Sequence, residues 1–373
     1  MRYINKELLR EKIARRMETN LQENLLSSAV MSVWQDGQEV ITQCFGGLDA
    51  HTMFRMASMT KPVTAVAVLL VAERGLLSLD DPLEKYLPEF ADRQVAITNE
   101  KGEVIGREPA RQKLTPRLML SHSCGYVYDE CFGQLASLTD EARNTLEGSV
   151  AACAKFVLAF HPGESQGYSN DIAWDPLLLL LERLTGMDYL DFITQEIFLP
   201  CGMVDTTYLP TDEQYARMAP MHDFVDGQNT ERPMERGYFG RFPNTHYLGC
   251  IGLYSTLDDY MKFALMLQNG GEYNGRRILT PESVAEMATI QLSPQANPGP
   301  QPWGLAVRVI RGSEYPTLPE GAFGWSGAFG THFWVDPVNR ITAVFLKNSC
   351  YNSKHGLQIT SYYFEEDVWT SLE

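Results

Sequence analysis

Over the first twenty residues the apolar positions fall at Leu8, Leu9, Ile13 and Met17, with charged residues between them. This spacing lines one face of a helix over residues 5–20. The pattern then becomes AVMSVWQDGQEVITQCFGG, two strand-like runs around Asp36-Gly37, the dipeptide favoured in two-residue hairpin turns. Residues 57–74 are almost continuously apolar or small and predict a helix, with Gly75 in the usual closing position.

From residue 79 to 245 the pattern is mostly helical, with long polar loops. SLDDPLEKYLPEF is turn-rich and marks entry into this region, RQVAITNEKGEVIGREPARQKL carries a hairpin signal at Lys101-Gly102, and AACAKFVLAF reads as helix. WDPLLLLLERLTG (174–186) and STLDDYMKFALMLQNGG (255–271) predict two further helices, stopped by Gly186 and by Gly270-Gly271. Ser255 or Thr256 is placed to cap the second. The last hundred residues return to strand signals in WGLAVRVI and in THFWVDPVNRITAVFLKN, with a turn at Asp336–Asn339, before a closing helix over 356–372. Strands at both ends and helices between predict an α/β (α+β) class: a sheet built from both termini, with an inserted helical region. The expected division is 1–78 with 246–373, and 79–245.

Composition narrows the possible partners. The 373 residues, 44% hydrophobic and 21% charged, suffice for an ample core. The balance of 31 basic against 47 acidic residues, 31 − 47 = −16, argues against nucleic acid or an anionic membrane as a partner. No window approaches the run of about 20 apolar residues a membrane span needs, and the first residues lack a signal-peptide core, so a cytoplasmic protein is expected. Seven scattered cysteines, never in C-x-x-C spacing, fit reduced thiols. With neither H-E-x-x-H nor a clustered His/Cys/Asp set, no metal or other cofactor is expected.

Three short stretches carry candidate chemistry. In FRMASMTKPVTAVAVLLVAERG, Ser58 and Lys61 share a face if the helix begins near Ser58, and Pro62 supports that start because proline is tolerated within a first turn. A neutral, desolvated lysine can take a serine proton, and the Ser58 amide is among the unpaired N–H groups of the helix start. Alone, the tetrapeptide reads as a capping serine and a surface lysine. PGESQGYSND (162–171) contains Tyr168-Ser169-Asn170, by itself a loop that finishes a turn. FGWSGAFGTHFWVDP (323–337) has glycines that let a ligand approach a strand backbone, or that merely loosen a strand with Trp325 in the core.

In order and spacing the three together resemble the serine β-lactamase-related family, which includes class C β-lactamases, D-alanyl-D-alanine carboxypeptidases and related esterases and acyltransferases. LSHSCGY (120–126) is similar to the family's L-x-H-T-S-G-[LY] stretch, with Ser121, Ser123 and Cys124 as variants. IFLPCGMVDTTY (197–208) and IGLYSTLDDYMKFALMLQNGG resemble its "PLGM-x-D-T" and "GGL-x-ST-x-x-D" segments. The resemblance implies a β-lactamase/transpeptidase-like fold with an antiparallel sheet. It implies Ser58 as nucleophile, Lys61 as its base, Tyr168 as the phenol that relays a proton to the leaving group, and Asn170 as a substrate-contacting amide. The N–H groups of Ser58 and Ala328 would form an oxyanion hole. Where β-lactamases have K-T-G, this chain has Trp325-Ser326-Gly327, and W-x-G resembles the esterase and acyltransferase branch. The resemblance therefore implies a serine hydrolase forming an acyl-Ser58 intermediate on a small-molecule ester, amide or β-lactam. A β-lactamase or D-amino-acid peptidase is the alternative, and a non-catalytic penicillin-binding-like ligand sensor is the alternative of another class.

One further match is set aside. Gly163-Glu164-Ser165-Gln166-Gly167 fits the G-x-S-x-G nucleophile elbow, which requires a strand before the serine and a helix after it. Neither is expected here. His122, His246 and His332 are read as structural, since a Ser–Lys–Tyr site needs no histidine.

Overall fold

The computed structural model describes residues 1–127, 134, 137–169, 173–233, 246–349 and 360–373. Its main sheet has six strands: β1 (Ala29–Gln35), β2 (Gln38–Phe45), β3 (Arg308–Val309), β4 (Phe323–Ser326), β5 (His332–Asp336) and β6 (Ile341–Leu346). They lie in the order β3-β4-β5-β6-β1-β2, every neighbouring pair antiparallel. The sheet therefore joins the two ends of the sequence. Asp36 and Gly37 turn β1 into β2 with φ of 53° and 75°, the left-handed pair a two-residue hairpin requires.

Strand alternation buries both sheet faces. Met31, Val33, Trp334, Ala343 and Phe345 pack with Leu9, Ile13 and Met17 of helix α1 (Lys6–Gln22) and with Phe364 and Val368 of the closing helix, Thr360–Trp369. Val30, Phe333, Val335, Val344 and Leu346 point the other way, into the larger core. That core contains α2 (Thr60–Glu73), α3 (Asp175–Thr185) and α4 (Leu257–Gln268), so the closing helix is numbered α5. All of α2 except its last two residues is buried, which accounts for its unbroken apolar sequence. Gly75, Gly186 and Gly270 follow α2, α3 and α4 with φ of 71°, 69° and 63°, and the Thr256 hydroxyl caps α4.

Three segments differ from the sequence reading. WGLAVRVI is a strand only at Arg308–Val309; before it the chain turns back, with Gly304 N–H bonded to Val307 O at 2.9 Å and Ala306 at φ 62°. AACAKFVLAF is helical only to Cys153. Its second half instead runs beside the Gln94–Thr98 strand, where Leu158 exchanges backbone bonds with Gln94 and Ala96. The third is a hairpin, Met221–Val225 with Gln228–Arg232, inside the region expected to be helical. Asp226-Gly227 makes its turn, at φ of 50° and 81°, the same signal that was read at Asp36-Gly37.

No helix among the described residues is long and apolar enough to cross a membrane. Cys44, Cys124, Cys153, Cys201 and Cys250 are in no disulfide, while Cys131 and Cys350 lie outside the described residues.

Candidate active site

Ser58 lies in a 3-10 turn, Ala57–Met59, that leads directly into α2. The turn is anchored on both sides. A short ladder pairs Phe54–Arg55 with Tyr254–Ser255, Met56 N–H bonds Leu253 O at 2.9 Å, and Tyr260 Oη of α4 bonds Met59 O at 2.8 Å. Ala57 has φ 49°, a left-handed conformation that costs a non-glycine residue energy and persists only where its surroundings impose it.

Lys61, one turn further on and 1% exposed, donates from Nζ to Ser58 Oγ and to Cys250 O, each at 3.2 Å. Its Nζ also lies 4.7 Å from the Tyr168 ring centroid and 5.4 Å from that of Trp174. The segment supplying the Cys250 carbonyl is itself fixed by Asp175, at the start of α3. That buried carboxylate accepts from Gly249 N–H at 3.4 Å, from the Ser149 hydroxyl, and lies 3.3 Å from His246 Nε2.

Tyr168 comes from the loop 161–169 and donates its phenol proton to Ser58 Oγ at 2.7 Å. His122 docks that loop: its carbonyl accepts from Gly167 N–H at 2.9 Å and its Nδ1 from Ser169 N–H at 3.0 Å. The imidazole is wholly buried among the rings of Tyr168, Trp174 and Trp303. Burial, reinforced by the nearby charge of Lys61, holds its pKa well below the usual histidine value. His122 is therefore a neutral support for Tyr168. His246 and His332 likewise bond carboxylates, Asp175 and Glu365, while Ser58 Oγ is held by Lys61 and Tyr168.

The third motif closes the opposite wall. Trp325 of β4 is half-buried, with its ring 5.5 Å from that of Tyr168 and 4.4 Å from that of Trp303. The Arg308 guanidinium lies 5.1 Å from the indole centroid. After Ser326 the chain turns tightly through 327–331, with Gly327 N–H bonded to Thr331 O at 2.7 Å and Gly330 N–H to Gly327 O at 2.9 Å. Thr331 Oγ1 donates to Met56 O at 2.9 Å, which ties this turn to the backbone just before Ser58. A Cβ on Gly327 would sit 2.4 Å from Met56 O and 2.2 Å from Thr331 Oγ1, so only glycine fits this approach. Ala328 is exposed at the tip of the turn.

Ser58, Lys61, Tyr168, Trp325 and Gly327 are thus brought together by elements from three parts of the chain, with Ala328 next to Gly327 at the tip of its turn; Asn170 lies outside the described residues. Ser165 sits in turn and irregular backbone, with neither strand before nor helix after it. The sequence reading missed Trp303, whose Nε1 donates to Gln166 Oε1 at 2.9 Å and whose ring stacks 5.9 Å from Tyr168. Its signal was only a tryptophan at the head of an apolar run. It also missed the Cys250 carbonyl, a backbone group that no side-chain pattern announces.

Comparison with known proteins decides the family: residues 9–363 match the family model described as Beta-lactamase. The chain belongs to the β-lactamase family. Within it, Protein Rv1367c of Mycobacterium tuberculosis is 30% identical over 354 residues, 87% of this chain and 86% of its own. Esterase EstB of Burkholderia gladioli is 26% identical over 377 residues, 90% of this chain and 89% of its own. The solved structure of EstCE1, "a hydrolase with promiscuous acyltransferase activity", covers 98% of this chain and 99% of its own, at a TM-score of 0.80 and 20% identity. The β-lactamase/transpeptidase-like fold follows, as an antiparallel sheet covered by helices.

Proposed function

We propose that this β-lactamase family member is a serine esterase that forms an acyl-enzyme on Ser58 and passes the acyl group to water or to another alcohol. The observation that carries the reading is the pair of contacts on one hydroxyl, Tyr168 Oη at 2.7 Å and Lys61 Nζ at 3.2 Å from Ser58 Oγ. Two proton-carrying groups on one buried-edge serine are what a two-step acyl transfer needs.

In the reactive state the Tyr168–Lys61 pair carries one proton fewer, so the Ser58 proton can pass into it as Oγ attacks the substrate carbonyl. The oxyanion accepts from the N–H groups of Ser58 and Ala328, donors of a kind worth about 10²–10³ in kcat each. Collapse expels the alkoxide, which takes the proton back from Tyr168. Water or an acceptor alcohol then loses its proton to the same pair, attacks the ester of Ser58, and the serine leaves with the proton restored. Lys61, held by a carbonyl and two ring faces, keeps a positive electrostatic influence beside the phenol. Asn170, placed by its motif position, contacts the substrate.

The substrate class is read from Trp325. An indole stands where a lysine would pair with the carboxylate of a β-lactam or peptide, which favours neutral esters. The esterase EstB among its relatives supports the same choice. Residues 1–78 and 246–373 supply Ser58, Lys61 and the third motif, and 79–245 supplies Tyr168, consistent with one catalytic domain. Dispersed free thiols support a reducing, cytoplasmic setting.

A hydrolysis panel tests the assignment: p-nitrophenyl esters of increasing acyl length, a cephalosporin and a D-Ala-D-Ala peptide. Turnover of the short-chain esters with the highest kcat/KM is expected. Turnover confined to the cephalosporin or the peptide would overturn it.

A further inference from the structure

On the far side of β4 from Trp325 lies a second set of polar groups, buried at His332, Glu365 and Thr317. Ser326 pairs across the ladder with His332 of β5, and its Oγ lies 2.8 Å from His332 Nδ1. His332 Nε2 is 2.8 Å from Glu365 Oε1 on α5, and Glu365 Oε2 accepts from Thr317 Oγ1 at 2.8 Å and from Tyr315 Oη at 3.2 Å. His332 and Glu365 are each 3% exposed. Despite its burial, Glu365 is kept below the usual carboxylate pKa range by its bonds to His332 and Thr317 and by the charges of His332 and Arg308.

The position of this chain of bonds gives it consequence. Ser326 immediately precedes the turn 327–331 and His332 immediately follows it, so their bond adds a side-chain tie across the neck of the turn that carries the Ala328 amide. The same turn is tied to Met56 O, two residues before the nucleophile, by Thr331. The histidine donates from Nε2 to an ionised glutamate, which fixes its ring and leaves Nδ1 for Ser326. Loss of the histidine would leave a buried carboxylate short of a donor and the neck without its side-chain tie.

We propose that His332 and Glu365 are positioning residues for acyl transfer: through Ser326 they hold the 327–331 turn, and so the Ala328 N–H, in register with Ser58. The proposal rests on the reading of Ser58 as nucleophile and Ala328 N–H as oxyanion donor. The order Ser–His–Glu has the composition of a hydrolase triad, yet Ser326 points away from Tyr168 and Trp325, and is not a second nucleophile. An oxyanion donor acts mainly in the transition state, so displacing it lowers kcat and leaves KM nearly unchanged.

The test compares Ser326→Ala, Ser326→Thr, His332→Asn and Glu365→Gln in the full chain. Two rates are measured, kcat and KM on a p-nitrophenyl ester and the second-order rate of fluorophosphonate labelling at Ser58. Ser326→Ala, His332→Asn and Glu365→Gln should lose about 10- to 100-fold in kcat and in labelling rate, a fraction of the loss of a whole oxyanion donor, with KM within about threefold. Ser326→Thr, which keeps the hydroxyl, should stay near wild type. Ser326→Ala removes one oxygen only, so it reads out the proposal even where the charged-pair variants fail to fold. Folded variants that keep both rates within twofold, a loss confined to KM, or labelling of Ser326 would overturn it. A wild type that labels at Ser58 without turning over the ester would count against the esterase reading alone, and the labelling rates would still decide this proposal.

Discussion

The phenol oxygen of Tyr168 stands 2.7 Å from Oγ of Ser58, although 110 positions separate the two residues in the chain. The contact exists because His122 docks the Tyr168 loop while α4 and the 250–255 segment hold the Ser58 turn. Removing the phenol oxygen deletes one end of the proposed proton path and leaves the ring packing intact. Tyr168→Phe should therefore lower kcat by about 10²–10⁴. Lys61→Ala should lose a similar factor, and the double variant little more, because the two act as one unit. Single and double variants assayed on one p-nitrophenyl ester check this, with circular dichroism to confirm folding. A folded Tyr168→Phe within a few-fold of wild type would remove the tyrosine from the mechanism.

Gly327 supplies a steric test. A methyl there would stand 2.4 Å from Met56 O, and Met56 leads directly to the Ser58 turn, so backbone must move. Gly327→Ala should lose at least about 10² in kcat, as expected for a displaced oxyanion donor, and lower the melting temperature. Steady-state kinetics beside a thermal melt check both. Ala328→Ser, at the exposed tip with its N–H retained, should stay within a few-fold of wild type.

Trp325 meets the site, since its ring lies 5.5 Å from Tyr168 and is half-buried. Trp325→Lys places an ammonium where a substrate carboxylate would be held, a charge-assisted bond worth about 1.5–3 kcal/mol. The ratio of kcat/KM for a cephalosporin to that for a p-nitrophenyl ester should rise by roughly ten- to a hundredfold at 1.4 kcal/mol per tenfold. Both substrates measured on wild type and variant give the ratio. An unchanged ratio in a folded variant would separate Trp325 from substrate choice.

Acid stability follows from Glu365. Its folded pKa is lowered from the ordinary glutamate value of 4.5, so its contribution is complete above that value and is lost as pH falls through the lower, folded value. Asp205, paired with Arg217 at 2.5 Å, shifts the same way. Wild-type melting temperature should therefore fall as pH drops below about 4.5. Glu365→Gln should be less stable at neutral pH and show a shallower decline in acid. Melting curves across the acid range check the difference.

How far the sequence reveals this molecule depends on the range of each signal. Ser58 and Lys61 are legible because their contact is made within one helical turn, and Asp36-Gly37 because a hairpin turn is set by two residues. Asp226-Gly227 carried the same signal and was overlooked beneath a helical pattern. Tyr168 and the third motif reach Ser58 across the fold, so only the joint resemblance to a family joined them in advance. Trp303, the Cys250 carbonyl and the Ser326–His332–Glu365 chain were not legible. Each owes its place to tertiary packing, and a backbone carbonyl or a rear-face histidine leaves no periodic trace.

The central claim is that Ser58 is the nucleophile, and an active-site label reads it directly. Wild type is treated with a fluorophosphonate, digested, and the adduct located by mass spectrometry, beside ester turnover by Ser58→Ala. The adduct is expected on Ser58 alone, with Ser58→Ala unlabelled, folded and inactive. An adduct on Ser165 of the G-x-S-x-G stretch, or full turnover by Ser58→Ala, would contradict the account.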